Sequence, residues 1–208
     1  MYFLFRNKLY RLYRLIITQF IYTKYFKSIG KQSVVFKSMK IINPINIEIG
    51  DNVTIEDNVT LYAITRYSNN TYKGKISIGN DVYINYNCNI TAANEIIIED
   101  NVVIAFNVSL FDFNHNYENV DIPVKYSDLH ILGSIKIRKN CWIGMNVAII
   151  GNVTLEEGCV VGANSVVTKS FPKYTVLIGS PARAIKRYDF VEKKWRETNE
   201  KGEFINEI

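Results

Sequence analysis

Histidine and cysteine are scarce in this 208-residue chain, and their scarcity excludes several kinds of site. The three cysteines are odd in number and form no C-x-x-C pair, so neither a disulfide framework nor a thiolate zinc centre is supported. Two histidines cannot supply a three-histidine zinc site. The sequence therefore predicts no bound metal, and its cysteines favour a reducing compartment, the cytoplasm.

Long apolar runs and N-terminal acids are also absent. The longest apolar stretch near the start, residues 15–22, is interrupted by Thr18 and Gln19 and is too short to span a bilayer. No small-residue cleavage site follows it, so it does not resemble a signal peptide. Residues 1–47 contain nine lysines and arginines and no acid, whereas the remainder has 16 basic and 20 acidic side chains. The sequence thus predicts a basic N-terminal segment that does not cross the membrane.

A six-residue unit recurs from Ile49 onward and organises most of the chain. Each copy opens on an aliphatic residue, continues through glycine, asparagine or aspartate, and has a small or β-branched residue at its fifth position. The first and fifth residues share strand parity and can both point inward. Period-six repetition is typical of a parallel β-helix, so we predict an all-β solenoid. Its inward positions are 49, 55, 61, 78, 84, 90, 98, 104, 110, 137, 143, 149, 155, 161 and 167.

The repeat also gives structural roles to residues that could be taken for catalytic ones. Asparagine, aspartate and glycine tolerate the unusual φ angles of a corner. We therefore expect corner roles for Asp51, Asp57, Asp81 and Asp100. The cysteines all occupy the fifth position of a unit and are expected to be small core residues: Cys88, Cys141 and Cys159.

The repeat divides the chain into three parts. We expect residues 41–187 to form the β-helix. Residues 1–40 contain an amphipathic helix reaching about Ile29, which caps the open first coil, contacts an anionic membrane at its inner face, or does both. Its apolar face consists of Leu9, Leu12, Tyr13, Ile16 and Phe20. Residues 188–208 predict a short polar C-terminal helix and a tail. Nothing beyond the basic helix supports nucleic-acid binding.

Two interruptions of the ladder matter for function. Residues 62–77 separate two units and predict either one degenerate turn or a small loop. Residues 111–136 form a long break, which we expect to leave the solenoid as an extruded loop, where function is commonly placed. Both histidines lie in this loop. An imidazole is well suited to proton abstraction near neutral pH, since its ordinary pKa is about 6.5, so His115 is the candidate general base.

Three ordered motifs carry a resemblance to a known family. They are Cys-Trp-Ile-Gly at 141–144, Val-Gly-Ala-Asn-Ser-Val-Val-Thr-Lys at 161–169 and Gly-Ser-Pro-Ala-Arg at 179–183. Together they resemble the C-terminal signature of the hexapeptide-repeat acyltransferases, in the maltose/galactoside acetyltransferase-like or polysaccharide O-acetyltransferase branch. The resemblance covers about residues 47–187. It implies a left-handed β-helix, a homotrimer, and acetyl-CoA held in the groove between adjacent subunits.

The resemblance also assigns the catalytic and acceptor residues. The family's general base follows an Asn-Val-Ser-Leu unit, here residues 107–110, which identifies His115. It would take the proton from an acceptor hydroxyl as the oxygen attacks the thioester directly, without an acyl-enzyme. Asp112 or a backbone carbonyl would fix the imidazole tautomer. Asn85 matches the sugar-side asparagine, whereas Ala93 stands where the galactoside enzymes carry an acid, which leaves the acceptor open.

On the coenzyme side, the resemblance implies contacts along the pantetheine arm and at the nucleotide phosphates. Tryptophan would pack beside the arm, a small residue would let it approach the backbone, and two cations would meet the phosphates. The implied coenzyme-binding residues are Trp142, Ala163, Thr168, Lys169, Arg183 and Lys186. Simple packing of Trp142 and solvation of the two cations are the alternatives.

The leading hypothesis is an acetyl-CoA-dependent O-acetyltransferase that modifies a sugar or glycan in surface polysaccharide synthesis. One alternative is acetylation of a small acceptor such as serine, a free sugar, an amino-sugar nucleotide or an antibiotic. Another is a non-catalytic β-helix that serves as a binding scaffold. The loop histidine combined with the coenzyme motifs favours an enzyme.

Overall fold

The computed structural model of the protein describes residues 2–38 and 40–205, and its main body is a parallel β-helix. Met1, Met39 and the tail residues 206–208 of the predicted terminal segments lie outside the described residues. Along the chain, strands visit three parallel sheets in turn, so each coil has three faces and a triangular cross-section. The described residues complete six such coils.

Each of the three sheets, here called A, B and C, contains one strand from every coil, so consecutive six-residue units lie on different sheets. Sheet A consists of β1 (Ser28–Ile29), β4 (Ile47–Ile49), β9 (Lys75–Ile78), β12 (Glu95–Ile98), β17 (Ser134–Ile137) and β20 (Val153–Leu155). Sheet B begins with β2 (Val34–Val35), β5 (Thr54–Ile55), β10 (Tyr83–Ile84), β13 (Val103–Ile104), β18 (Trp142–Ile143), β21 (Val160–Val161) and β23 (Thr175–Ile178). Sheet C consists of β3 (Lys40–Ile42), β6 (Thr60–Ala63), β11 (Asn89–Ala92), β14 (Ser109–Phe111), β19 (Ala148–Ile150) and β22 (Val166–Val167).

The remaining elements lie at the ends and in two excursions. The N-terminal helix α1 spans Tyr2–Phe20. Short 3-10 turns occur at Tyr22–Lys24, Pro44–Asn46 and Val124–Tyr126. The excursions are antiparallel hairpins, β7 (Arg66–Tyr67) with β8 (Asn70–Thr71) and β15 (Phe113–His115) with β16 (Leu129–Ile131). Sheet B ends with the antiparallel strands β24 (Arg183–Asp189) and β25 (Lys194–Glu197).

The core is the stack of aliphatic residues that the repeat predicts. All fifteen predicted inward positions are buried, and none is more than 4% exposed. In sheet A, for example, Ile49 pairs with Ile78, Ile78 with Ile98, and Ile98 with Ile137. Each buried aliphatic contributes about 2 kcal/mol of transfer free energy before chain entropy is subtracted. The predicted ladder is confirmed.

The corners between the sheets are formed by the asparagine and aspartate positions. Left-handed backbone with φ between 54° and 62° occurs at Asn52, Asn58, Asp81, Asn101, Asn107, Asn140, Asn146 and Asn164. The carboxylates of Asp51, Asp57 and Asp100 each accept a backbone N–H from another coil, at 2.7, 2.8 and 2.6 Å. These acids therefore stabilise the corners, as the sequence predicts.

The three cysteines are buried and free, as expected for core positions. Burial raises the pKa of the Cys88 thiol to about 11. A thiol with such a pKa is almost entirely protonated at neutral pH and is a poor nucleophile.

The N-terminal boundaries differ from the prediction. The helix ends at Phe20 rather than near Ile29, and the solenoid begins at Ser28 rather than at residue 41. The reason is that β1 pairs in parallel with β4, which places Ser28 opposite Glu48. This ladder supplies the backbone hydrogen bonds that a longer helix would otherwise provide. Within the described chain, no helix combines the length and apolar character needed to cross a bilayer.

The predicted C-terminal helix is wrong, because residues 183–197 form a β-hairpin. Tyr188 lies opposite Trp195 across the hairpin, and their rings meet edge to face with centroids 5.5 Å apart. At the turn, the Asp189 carboxylate accepts the N–H groups of Val191 and Glu192. Pairing with β23 and these aromatic contacts outweigh a helical preference that rests only on polar composition.

Candidate active site

The long break in the repeat leaves the solenoid at the corner between sheets C and A. Residues 112–133 connect β14 to β17, and they contain the hairpin β15–β16. Within the hairpin, Asn114 lies opposite His130 and His115 lies opposite Leu129. The antiparallel pairing holds the backbone of His115 in place, although its side chain is exposed.

A second hairpin stands beside the first. The sequence allows either a turn or a loop at residues 62–77, and the structure shows a loop that contains β7 and β8. The Tyr72 hydroxyl accepts the N–H of Leu129 at 2.9 Å. Side chains from both excursions form a small apolar cluster: Ile64, Ala93 and Leu129, with Tyr62, Tyr67, Tyr72 and Phe113. The two loops therefore support each other, a relation that the six-residue repeat does not reveal.

His115 lies in a small cleft on the extruded loop. The Tyr67 ring meets its imidazole edge-on, with centroids 5.5 Å apart and planes at 64°. Residues lining the cleft include His115, Asn116, Tyr117, Glu118, His130 and Leu132. Both histidines of the chain thus face one cleft, together with one carboxylate. Tyr67 and Tyr72 were not predicted, since they lie 48 and 43 residues before His115 in a segment without a motif.

Asp112 does not hold the imidazole in the predicted way. Its carboxylate is fully buried and accepts two backbone N–H groups, from Ala93 at 2.7 Å and from Asn94 at 2.9 Å. Its carbonyl accepts the N–H of Leu132 at 2.9 Å, where the loop returns. Burial raises the pKa of this carboxyl, and the two amide N–H groups act in the opposite direction. Asp112 therefore fastens both ends of the loop to the neighbouring coil.

Asn85 lies at a different edge of the prism. It follows β10, at the corner between sheets B and C, and it is partly buried. Its side-chain oxygen accepts the N–H of Tyr86 at 2.8 Å. The loop that carries His115 leaves from the corner between sheets C and A. A single chain therefore does not bring the predicted acceptor asparagine to the predicted base.

The coenzyme candidates near Trp142 also lie on sheet B and its edge. Trp142 points outward and is 55% exposed, in register with Val103 and, one coil further, with Tyr83. These three exposed apolar side chains form an outward column on sheet B. Ala163 follows β21 at the corner between sheets B and C and is exposed. The column and this corner offer an open, partly apolar surface without charged side chains at these positions.

The other coenzyme candidates lie near the C-terminal end of the solenoid, and all are exposed. Thr168 and Lys169 follow β22, at the corner between sheets C and A, and the Lys169 ammonium lies 5.5 Å from the centroid of the Phe171 ring. Arg183 and Lys186 lie on β24, where Arg183 forms an ion pair with Glu200. These cations are accessible to an anionic ligand. In residues 2–38 and 40–205, no group of three potential ligands is placed to hold a metal ion.

Comparisons with known proteins agree with this architecture. A family model described as "Bacterial transferase hexapeptide (six repeats)" matches residues 134–169. The galactoside O-acetyltransferase of Escherichia coli is 32% identical over 168 residues, which cover 78% of this chain and 74% of that protein. The putative lipopolysaccharide biosynthesis O-acetyl transferase WbbJ of Escherichia coli is 31% identical over 161 residues, covering 74% of this chain and 79% of the relative. The chain belongs to the hexapeptide-repeat acyltransferase superfamily.

Further matches define how far the likeness extends. A putative acetyltransferase of Schizosaccharomyces pombe is 36% identical over 118 residues, but the chain spans 56% of that relative's length. Among solved structures, AntD, an N-acyltransferase from Bacillus cereus in complex with dTDP and 3-hydroxybutyryl-CoA, superposes with a TM-score of 0.69 at 26% identity. The match covers 84% of this chain and 91% of AntD.

These findings confirm the predicted family and the left-handed parallel β-helix. The predicted use of a coenzyme A thioester agrees with the thioester bound in AntD. Relatives that are named for galactoside and lipopolysaccharide acetylation agree with acyl transfer as the reaction class.

Proposed function

We propose that this acyltransferase moves an acetyl group from acetyl-CoA to a hydroxyl of a sugar, with His115 as the general base. The observation that carries the proposal is the exposed imidazole, held on a hydrogen-bonded hairpin at the edge of an acyltransferase solenoid. An unprotonated ring nitrogen in this position can reach a bound acceptor from solvent. The cysteines, by contrast, are buried and give no exposed nucleophile for an acyl-enzyme.

The proposed step is a direct transfer. The His115 imidazole accepts the proton of the sugar hydroxyl while the hydroxyl oxygen forms a bond to the thioester carbonyl carbon. The resulting tetrahedral intermediate expels the coenzyme A thiolate as the carbon–sulfur bond breaks. The imidazolium then returns the proton to the sulfur, giving the O-acetyl sugar and free coenzyme A. Holding both substrates beside one residue supplies much of the rate acceleration.

We propose further that a second copy of the chain completes the site in a homotrimer. In one chain, the loop that carries His115 leaves the solenoid at the corner between sheets C and A. Asn85, Trp142 and Ala163 lie on or beside sheet B. Packing the C–A corner of one subunit near sheet B of the next would bring these groups together. The exposed column of apolar residues that includes Trp142 is suited to such a groove and to a pantetheine arm within it.

The cations at the C-terminal end are proposed to meet the coenzyme phosphates. Arg183 lies on β24 and presents a planar guanidinium that can bind phosphate through two hydrogen bonds. Its partner Glu200 would be displaced, since both side chains are more than half exposed and exposed ion pairs are weak. Lys186 lies 5.7 Å from the centroid of the Trp195 ring and would supply a second charge. Thr168 and Lys169 complete the proposed coenzyme contacts.

For the acceptor, we favour a glycan of surface polysaccharide synthesis, acetylated in the cytoplasm at the inner face of the membrane. The likeness to the proteins named for lipopolysaccharide biosynthesis and galactoside acetylation supports a sugar hydroxyl. A second candidate is the amino group of a nucleotide-linked sugar, which the likeness to AntD with its bound dTDP supports. Ala93, which stands where the resemblance implies an acid that holds the acceptor in the galactoside enzymes, is apolar and buried.

Radiolabelled acetyl-CoA and a panel of glycans, free sugars and amino-sugar nucleotides test the proposal. His115→Ala should lower turnover by roughly 10²–10⁴, because the hydroxyl then loses its base. His130→Ala is the matched control, since it removes the other histidine of the same cleft, and it should retain much more activity. Full turnover by the His115→Ala variant would show that His115 is not the general base. Labelling of an amine rather than a hydroxyl would select the second candidate.

A further inference from the structure

The N-terminal helix packs on the solenoid through its polar face. The Arg14 guanidinium donates to the carbonyl oxygens of Val35 and Phe36, each at 2.8 Å. The Thr18 hydroxyl oxygen accepts the N–H of Val35 at 3.0 Å. Both side chains are buried, at 9% and 0% exposure. Helix α1 thus satisfies backbone groups at the open edge of β2, the terminal strand of sheet B.

This orientation turns the apolar face of α1 away from the protein. We name this face the outward stripe: Leu9, Leu12, Tyr13, Ile16 and Phe20. Its side chains are between 49% and 69% exposed. Directly after the helix, Ile21 and Tyr25 are 48% and 63% exposed. On a protein dissolved in water, an exposed apolar patch of this extent marks an interaction surface.

The charges of the N-terminal segment that carries the outward stripe are of one sign. Lys8 on the helix and Lys24 just after it are exposed, and residues 1–47 contain no acid. The remaining chain has an excess of acidic residues. A basic, aromatic helix of this kind matches an interfacial helix that lies in the headgroup region with its apolar face toward the acyl chains. Tyrosine is favoured at that depth because its ring is apolar and its hydroxyl is polar.

We propose that the outward stripe docks on the surface of an anionic membrane. Charge complementarity distinguishes this occupant from a second copy of the chain. Two outward stripes facing each other would bring the exposed Lys8 and Lys24 of both copies together, whereas anionic headgroups would neutralise them. Because the polar face remains bound to β2, the helix lies along the membrane with the solenoid attached to its other side.

Sedimentation with lipid vesicles tests this surface on the full chain. The wild-type protein should bind vesicles that contain phosphatidylglycerol, bind phosphatidylcholine vesicles much less, and be released as salt concentration rises. Leu12→Gln/Ile16→Gln/Phe20→Gln should reduce partitioning roughly tenfold or more, because three apolar side chains no longer enter the interface. Val120→Gln/Val191→Gln is the control, as it removes two side chains that are each 92% exposed elsewhere.

The outcomes are separable from folding and from catalysis. Circular dichroism should show unchanged structure in the triple variant; if it does not, the single substitution Phe20→Gln, at the most exposed position of the stripe, replaces it. The proposal would be overturned if the wild-type protein did not bind anionic vesicles, or if the triple variant bound them as well as the wild type. A variant that changes oligomeric mass but not vesicle binding would show that a second copy covers the stripe. Acetyl transfer to a water-soluble acceptor tests the proposed function independently.

Discussion

The loop anchor at Asp112 gives a prediction that separates two roles for one carboxylate. Asp112→Ala removes the acceptor of two backbone N–H groups, of which that of Ala93 is buried and that of Asn94 is partly buried. An unsatisfied buried N–H costs about 1–3 kcal/mol and a partly buried one less, so the variant should lose about 2–5 kcal/mol of unfolding free energy. Asp112→Asn retains one acceptor oxygen and should lose roughly half as much. Urea unfolding at a fixed protein concentration measures both values.

Activity measured under fully folded conditions completes the test. As an anchor, Asp112 positions the hairpin that carries His115, so stability and turnover should fall together. If the carboxylate instead oriented the imidazole, Asp112→Asn would lose turnover while its unfolding midpoint stayed near the wild-type value. An Asp112→Ala protein that unfolds at the wild-type urea concentration would refute the anchoring role.

The same carboxyl should give a pH-dependent contribution to stability. Burial raises its pKa in the folded protein, whereas an aspartate in the unfolded chain titrates near pH 3.9. The folded state therefore holds the proton more tightly. The stability from this group is fully present below about pH 3.9 and decreases as pH rises through the raised folded pKa. Asp112→Asn should abolish this slope, whereas Asp121→Asn, at an exposed loop residue, should preserve it.

Two further substitutions test the ends of the solenoid. Arg14→Leu should lower the unfolding free energy by roughly 2–4 kcal/mol, since the charged hydrogen bonds to Val35 and Phe36 are lost; denaturant midpoints equal to the wild type would contradict this. Arg183→Ala should weaken acetyl-CoA binding while leaving the fold intact, and an unchanged dissociation constant in calorimetry would reject its contact with phosphate.

The solenoid was predictable because its rule is local and repeated. Each six-residue unit contains its own inward aliphatic and its own corner, so the assignment needs no knowledge of distant contacts. Asn52 is an example: its φ is 54°, and asparagine is favoured at such corners because it tolerates left-handed backbone. The branch of acyltransferases was likewise visible in three ordered motifs.

The elements that departed from prediction depend on distant partners. The polar residues of β24 and β25 form strands because the edge of β23 is free to pair with β24. Composition alone does not predict that this edge lies nearby. The rotation of α1 follows from the backbone groups of Val35, which must find partners and bind Arg14 and Thr18. A helical wheel identifies the apolar and polar faces of α1, but it does not show which face packs against the open edge of β2.

The candidate site was predictable only in part for the same reason. His115 could be found because histidine is rare and the loop interrupts the repeat. Its neighbours Tyr67 and Tyr72 belong to another excursion, and their approach depends on how two loops stack above the coil. Asp112 was identified as a residue of interest, but its bonds to Ala93 and Asn94 depend on which coil lies beneath it.

Helix α1 and strand β24, which cover the two ends of the parallel ladder in sheet B, also affect self-assembly. A stack of parallel strands presents unpaired backbone groups at each end, and such edges template the addition of further strands, as in amyloid. Here a helix shields Val35 at one extremity, while a reversal of strand direction at β24 terminates the other. We therefore expect that loss of either shield would favour end-to-end polymers.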